Sequence, residues 1–81
     1  CMPVIHREGG WSVLIHPHDH PPPHVHVRVP GGEVKVQLVG PDGDPDVVRI
    51  SNVNDRDAWR ALAIVYQYQD VFLAHWELIH G

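Results

Sequence analysis

The segment His24-Val25-His26-Val27-Arg28-Val29, followed by Pro30-Gly31-Gly32 and then by Glu33-Val34-Lys35-Val36-Gln37-Leu38, decides how this chain folds. Successive side chains of a strand point to opposite faces, so the first run sends three valines one way and His24, His26 and Arg28 the other. The second run alternates in the same way, and the proline-glycine cluster between them is a turn signal. Both apolar sets share a face only if the numbers of facing residues sum to an odd value. A three-residue loop would pair Val29 with Glu33 and break that match. The expected register, from a Gly31-Gly32 turn or a four-residue loop, pairs Val29 with Val34, Val27 with Val36 and His26 with Gln37.

Working outward toward the N-terminus, a short strand from Pro3 to Glu8 ends at Gly9-Gly10, and Trp11-Ser12-Val13-Leu14-Ile15-His16 follows at once. Trp11, Val13 and Ile15 alternate with Ser12, Leu14 and His16 and form the core-facing set. The loop Pro17-His18-Asp19-His20-Pro21-Pro22-Pro23 is stiffened toward an extended form by its prolines. Toward the C-terminus, Pro41-Asp42-Gly43-Asp44-Pro45 is a turn cluster and Asp46 to Ile50 reads as a last strand. After Asn52 the period changes from two to that of a helix. Asn54 is the expected N-cap, with Asp55 and Asp57 where the helix dipole favours acids. Ala58, Leu62, Val65, Phe72, Trp76 and Ile79 recur at helical spacing. A helix of about 25 residues would be about 37 Å long, longer than the strands, so a kink or an overhang is expected.

The expected fold class is therefore α+β, an antiparallel β-meander of four to five strands with one long C-terminal α-helix packed on one face. One helix covers one face of a sheet. The other face is expected to carry His6, Glu8, His16, His24, His26, Arg28, Glu33, Lys35, Gln37 and Arg49, with Leu14 and Val47 among them.

The chain has 81 residues, enough for a single domain with a thin core, so a partner or a homo-oligomer is expected. With 43% apolar and 20% charged residues the composition is that of a globular protein. Six Lys and Arg against ten Asp and Glu give a formal charge of −4, which is unfavourable for gripping a phosphate backbone. Eight histidines would carry that charge to +4 if all were protonated, so the electrostatic character depends on pH near 6 to 7. The lone Cys1 permits no intrachain disulfide, and the cytoplasm is the expected compartment. Cys1 precedes Met2-Pro3, which reads as a natural start, and it is given no functional weight. No apolar run approaches a membrane span.

Three chemistries fit the histidine stretch. The first is a metal site. His24 and His26, two apart on a strand, project their rings from one face and can share a Zn²⁺, Ni²⁺ or Cu²⁺ ion, with His20, His16 or Glu33 as third ligand. The second is acid–base catalysis, as in a small endoribonuclease-type toxin, with His24 and His26 as base and acid and Arg28 or Lys35 on the phosphate. The third is a pH-tuned protein-interaction module without catalysis, in which Arg28, Glu33, Lys35 and Gln37 form the binding face. A histidine-triad nucleotide hydrolase is set aside, because Arg28 stands where the third histidine is needed. The aromatic residues read as core or interface rather than as a base-stacking platform.

The block His20-Pro21-Pro22-Pro23-His24-Val25-His26-Val27, the start Met2-Pro3, the Gly31-Gly32-Glu33-Val34-Lys35 turn-strand and the helix ending in Trp76 together resemble a small bacterial family, the domain of unknown function numbered 4160. The resemblance spans Met2 to Gly81, and the histidine-proline block is its most specific part. It points to His20, Pro22, Pro23, His24 and His26, with Glu33 and Lys35 on the neighbouring strand; His16 and His18 are additions of this sequence. Many members are encoded beside another small protein, which implies a two-gene, toxin–antitoxin-like module and a small cognate protein as partner. The resemblance implies no reaction.

Overall fold

A computed structural model describes residues 4–16, 22–38 and 43–80. Five strands, β1 (Val4–Glu8), β2 (Trp11–Leu14), β3 (His24–Val29), β4 (Gly32–Gln37) and β5 (Asp46–Ser51), form one sheet in the order β1-β2-β3-β4-β5. Every neighbouring pair is antiparallel. Two helices follow, α1 (Asp55–Gln67) and α2 (Gln69–His80). The α+β class and the meander are as expected.

The β3–β4 hairpin keeps the expected parity but not the expected partners. Val29 faces Gly32, Val27 faces Val34, Val25 faces Val36 and His26 faces Lys35. The register is shifted by two residues, because the turn falls at Pro30-Gly31. Proline sets the φ of the first turn position, and Gly31 takes φ +82° at the second, which suits a two-residue reversal. Asn52 closes the same turn from β5's end, its Nδ2 donating to the Gly31 carbonyl at 2.7 Å.

The expected single long helix is two helices, separated at Tyr68 (φ −113°, ψ 19°). A straight helix of about 25 residues would run about 37 Å, beyond the 33 Å longest extent of the molecule. The break lets both halves return apolar side chains to one core. Gln69, buried at the break, anchors it by donating from Nε2 to the Gly43 carbonyl at 3.0 Å. Asn54 is the N-cap as expected, its Oδ1 accepting from the Asp57 amide at 2.8 Å. Asn54→Ala should cost about 1 kcal/mol, read as a lower denaturation midpoint with an unchanged slope.

The core lies between the sheet and the helices. Val13, Ile15, Val25, Val27, Val34 and Val36 supply the sheet side, and Ala61, Val65, Phe72 and Trp76 meet them from the helices, all at 5% exposure or less. Two features of the pairing change which residues belong to that side. The Gly9-Gly10 turn pairs Glu8 with Trp11 and therefore His6 with Val13, and the His6 ring lies 4.5 Å from Tyr68 and 5.9 Å from Phe72. Glu8 follows, with Oε1 3.4 Å from His6 Nε2. Pairing shifts between Lys35 and Val36, so Val47 faces Val36 while Arg49 faces Lys35. His6, Glu8 and Val47 are therefore removed from the polar face: the first two by the register of β1 on β2, and Val47 because an extra residue in a strand inverts the alternation beyond it. No described helix is long and apolar enough to cross a membrane.

Candidate functional site

The face opposite α1 is built by β2 to β5, and rigid pairing fixes its neighbours. His24 stands across from Gln37, His26 across from Lys35, Arg28 across from Glu33, and Lys35 in turn across from Arg49. These include every strand residue expected to bind, Arg28, Glu33, Lys35 and Gln37.

The two histidines are not on an open surface. His24 is 6% exposed and His26 9%. The His24 ring lies 5.3 Å from Trp76 and Nδ1 donates to the Pro22 carbonyl at 2.9 Å. A carbonyl only accepts, so that nitrogen carries the proton. The His24 and His26 rings are 5.3 Å apart, and His16 adds an edge-on contact with His26 at 4.2 Å. Leu14, which faces His26, is buried beside them at 3% exposure. His16, two residues past the end of β2, thus joins the group; its alternation with Leu14 was the signal for it. A run of rings extends through Trp76 to His80, whose ring stacks on Trp76 at 3.7 Å. The expectation of a bare titratable face is corrected: side chains from α2 and from both sides of β3 close over its histidine end.

Its other end is open and charged. His26 Nδ1 donates to Glu33 Oε2 at 3.3 Å, and Arg28 Nε donates to Glu33 Oε1 at 3.4 Å. One carboxylate therefore serves two neighbours with both of its oxygens. Beside it a cavity of about 250 Å³ is lined by His26, Glu33, Lys35, Arg49 and Ser51. Neither Lys35 nor Arg49 makes an ion pair among the described residues. With the Glu33 charge engaged by Arg28 and His26, this cavity carries the positive potential of two cations in a chain whose formal charge is −4. Arg49, expected on this face, and Ser51, two residues further along β5, complete it opposite Lys35 and Glu33.

The described residues bring no group of three or more His, Cys, Asp or Glu side chains together in a way that could hold a metal ion. His20, expected as a metal ligand, lies outside the described residues, as do His18 and Pro21. What the described geometry can do is recognise an anionic group, with a histidine oriented by a carboxylate at its side.

The far side of β5 has a different character. A cavity of about 270 Å³ between β5 and α1 is lined by Asp46, Val47, Ile50, Asp55, Ala58, Trp59 and Leu62. A second apolar hollow continues over Trp59, Leu62, Ala63 and Tyr66 from Pro45. Trp59 is 71% exposed and Tyr66 62%, so these two aromatics are not part of the core.

A family model described as Domain of unknown function (DUF4160) matches residues 10–77. No curated protein and no solved structure matches the chain.

Proposed function

Given that the chain belongs to the DUF4160 family, we propose that it is a binding module of a two-gene, toxin–antitoxin-like pair, working through the sheet face that runs from His24 to Arg49 and engaging a small cognate protein. The observation that carries this reading is the open cavity at His26, Glu33, Lys35, Arg49 and Ser51, where Lys35 and Arg49 make no ion pair among the described residues of a rigid sheet. Unpaired cations on fixed strands are set to meet an acidic group without reorganising, which favours recognition. The family context, in which many members are encoded beside another small protein, supplies the partner class. A transition metal held by His24 and His26, with His20 as the third ligand, is an addition to this reading that ion analysis of tag-free protein tests.

Co-expression of the chain with the product of the neighbouring gene tests the reading. The two should co-purify, and Lys35→Glu should weaken the complex by about tenfold or more, within the range measured for truncating or reversing interfacial charges. Absence of co-purification at micromolar concentrations overturns it.

One observation favours a second reading, a small endoribonuclease-type toxin. His26 is held through Nδ1 by Glu33, the arrangement that orients a general base, and Lys35 and Arg49 stand where a phosphate would be steadied. RNA cleavage by the isolated protein that disappears in His26→Ala would support it. Intact RNA after incubation with the wild-type protein would remove it.

A further inference from the structure

We propose that β5 is a docking edge for an extended partner segment in which acidic and apolar side chains alternate, added to the sheet as a sixth strand. This rests on the partner-binding reading above and names the chemistry that the partner presents. Strand β5 ends the sheet order, and no described strand covers its outer side. A sheet edge offers unpaired backbone groups to another extended chain, and added strands are a recurring mode of peptide recognition.

What selects the occupant is the difference between the two faces that flank this edge. On one face lies the cavity with Lys35, Arg49 and His26, its carboxylate already engaged by Arg28 and His26. On the other lies the apolar cavity with Ile50, Trp59 and Leu62, rimmed by Asp46 and Asp55. An added strand sends successive side chains to opposite faces. An acid directed to the first face meets Lys35 and Arg49, which make no ion pair among the described residues, while its apolar neighbours reach Ile50 and Trp59. The reverse register would drive acids against Asp46 and Asp55 and leave the cations unmet. The edge therefore reads a pattern as well as a composition. It also disfavours an RNA strand, whose charge repeats on every unit and which would be opposed by the overall −4 charge.

The test uses the full chain and fluorescein-labelled nonapeptides with blocked ends. One alternates glutamate and valine, one alternates lysine and valine, and one has the glutamates and valines in separate blocks; a ten-residue oligouridine is the fourth probe. Anisotropy should show binding of the glutamate–valine alternation at least tenfold tighter than of the other three. Arg49→Glu should weaken it at least tenfold, Arg49→Lys by no more than about threefold, and Trp59→Ala severalfold. Arg49 and Trp59 are both exposed, so folding is expected to survive, and a circular dichroism melt verifies it. Hydrogen exchange should slow at the Val47–Ser51 amides when the peptide binds.

Equal binding of the blocked or lysine peptide overturns the proposal, as does stronger binding of oligouridine. Concentration-dependent dimerisation that Arg49→Glu abolishes would also overturn it, showing that a second copy holds the edge. If the neighbouring gene product co-purifies with the Arg49→Glu protein as well as with wild type, the edge is wrong and the partner-binding reading stands. If the glutamate–valine peptide binds as described but the neighbour does not co-purify, the edge stands and that reading falls.

Discussion

Phe72→Ala is expected to destabilise the domain by about 3–5 kcal/mol. Phe72 is fully buried and packs within 6.0 Å of the Tyr68 ring and 5.9 Å of the His6 ring, so it links the helix break to β1 across the core. Truncation removes that contact and leaves a cavity that two helices and a sheet cannot easily collapse to fill. For a domain of this size total stability is about 4–12 kcal/mol, at about 0.05–0.15 kcal/mol per residue. The loss would therefore consume a large share of it. Chemical denaturation of wild type and variant checks this, with Val71→Ala as the neighbour on the outer side. Val71 is 49% exposed, and its truncation should stay within about 0.5 kcal/mol. A Phe72→Ala cost under about 1 kcal/mol would mean that α2 does not seal the core where it is placed.

Gly32→Ala is expected to cost about 1–3 kcal/mol, and more than a change at the adjacent Gly31. The two glycines are required for different reasons. Gly31 has a left-handed φ of +82°, a conformation that asparagine also adopts, so Gly31→Asn should be tolerated. At Gly32 the obstacle is space. A Cβ there would come inside 3.0 Å of the Ser51 and Asn52 carbonyl oxygens and the Val53 side chain. Backbone cannot yield as a flexible side chain can, so β4 and β5 would have to separate. That separation would move Lys35 away from Arg49, its partner across the two strands. The variant should therefore lose stability and peptide binding together, while Gly31→Asn keeps both. Thermal melts and the anisotropy assay on the two variants decide the matter. Equal effects at both positions would show that the close approach at Gly32 is not limiting.

Much of the architecture was legible because alternation and helical spacing are local properties. Val25, Val27, Val34 and Val36 could be assigned to one face without knowing any partner, and Asn54 could be read as a cap from its neighbours alone. The hairpin register was legible only as a parity. The turn falls at Pro30-Gly31 rather than at Gly31-Gly32, and that placement is decided by pairing between strands rather than by the turn sequence. The helix break at Tyr68 carries no glycine or proline to announce it. It is set by the dimensions of the sheet and by the Gln69 contact with Gly43, which are far apart in the chain. The candidate site was legible to the same extent. Arg28, Glu33, Lys35 and Arg49 follow from period two, and Ser51 lies two residues beyond Arg49, whereas His6 and Glu8 leave through the register of β1 on β2 and Val47 through an irregularity in β5.

By itself, then, the sequence determined the class of fold, the parity of β3 and β4, the start of α1 and the concentration of histidines on one side of β3. Each is settled within a few residues by covalent geometry and local hydrogen bonding. Tertiary structure alone decided that His24 and His26 are nearly buried, that Glu33 is shared between Arg28 and His26, and that Lys35 and Arg49 face each other with no ion pair among the described residues. Those outcomes depend on the pairing of β4 with β5, a helix break and the reach of Trp76. Each is stabilised by contacts between residues far apart along the chain, for which alternation and spacing carry no signal.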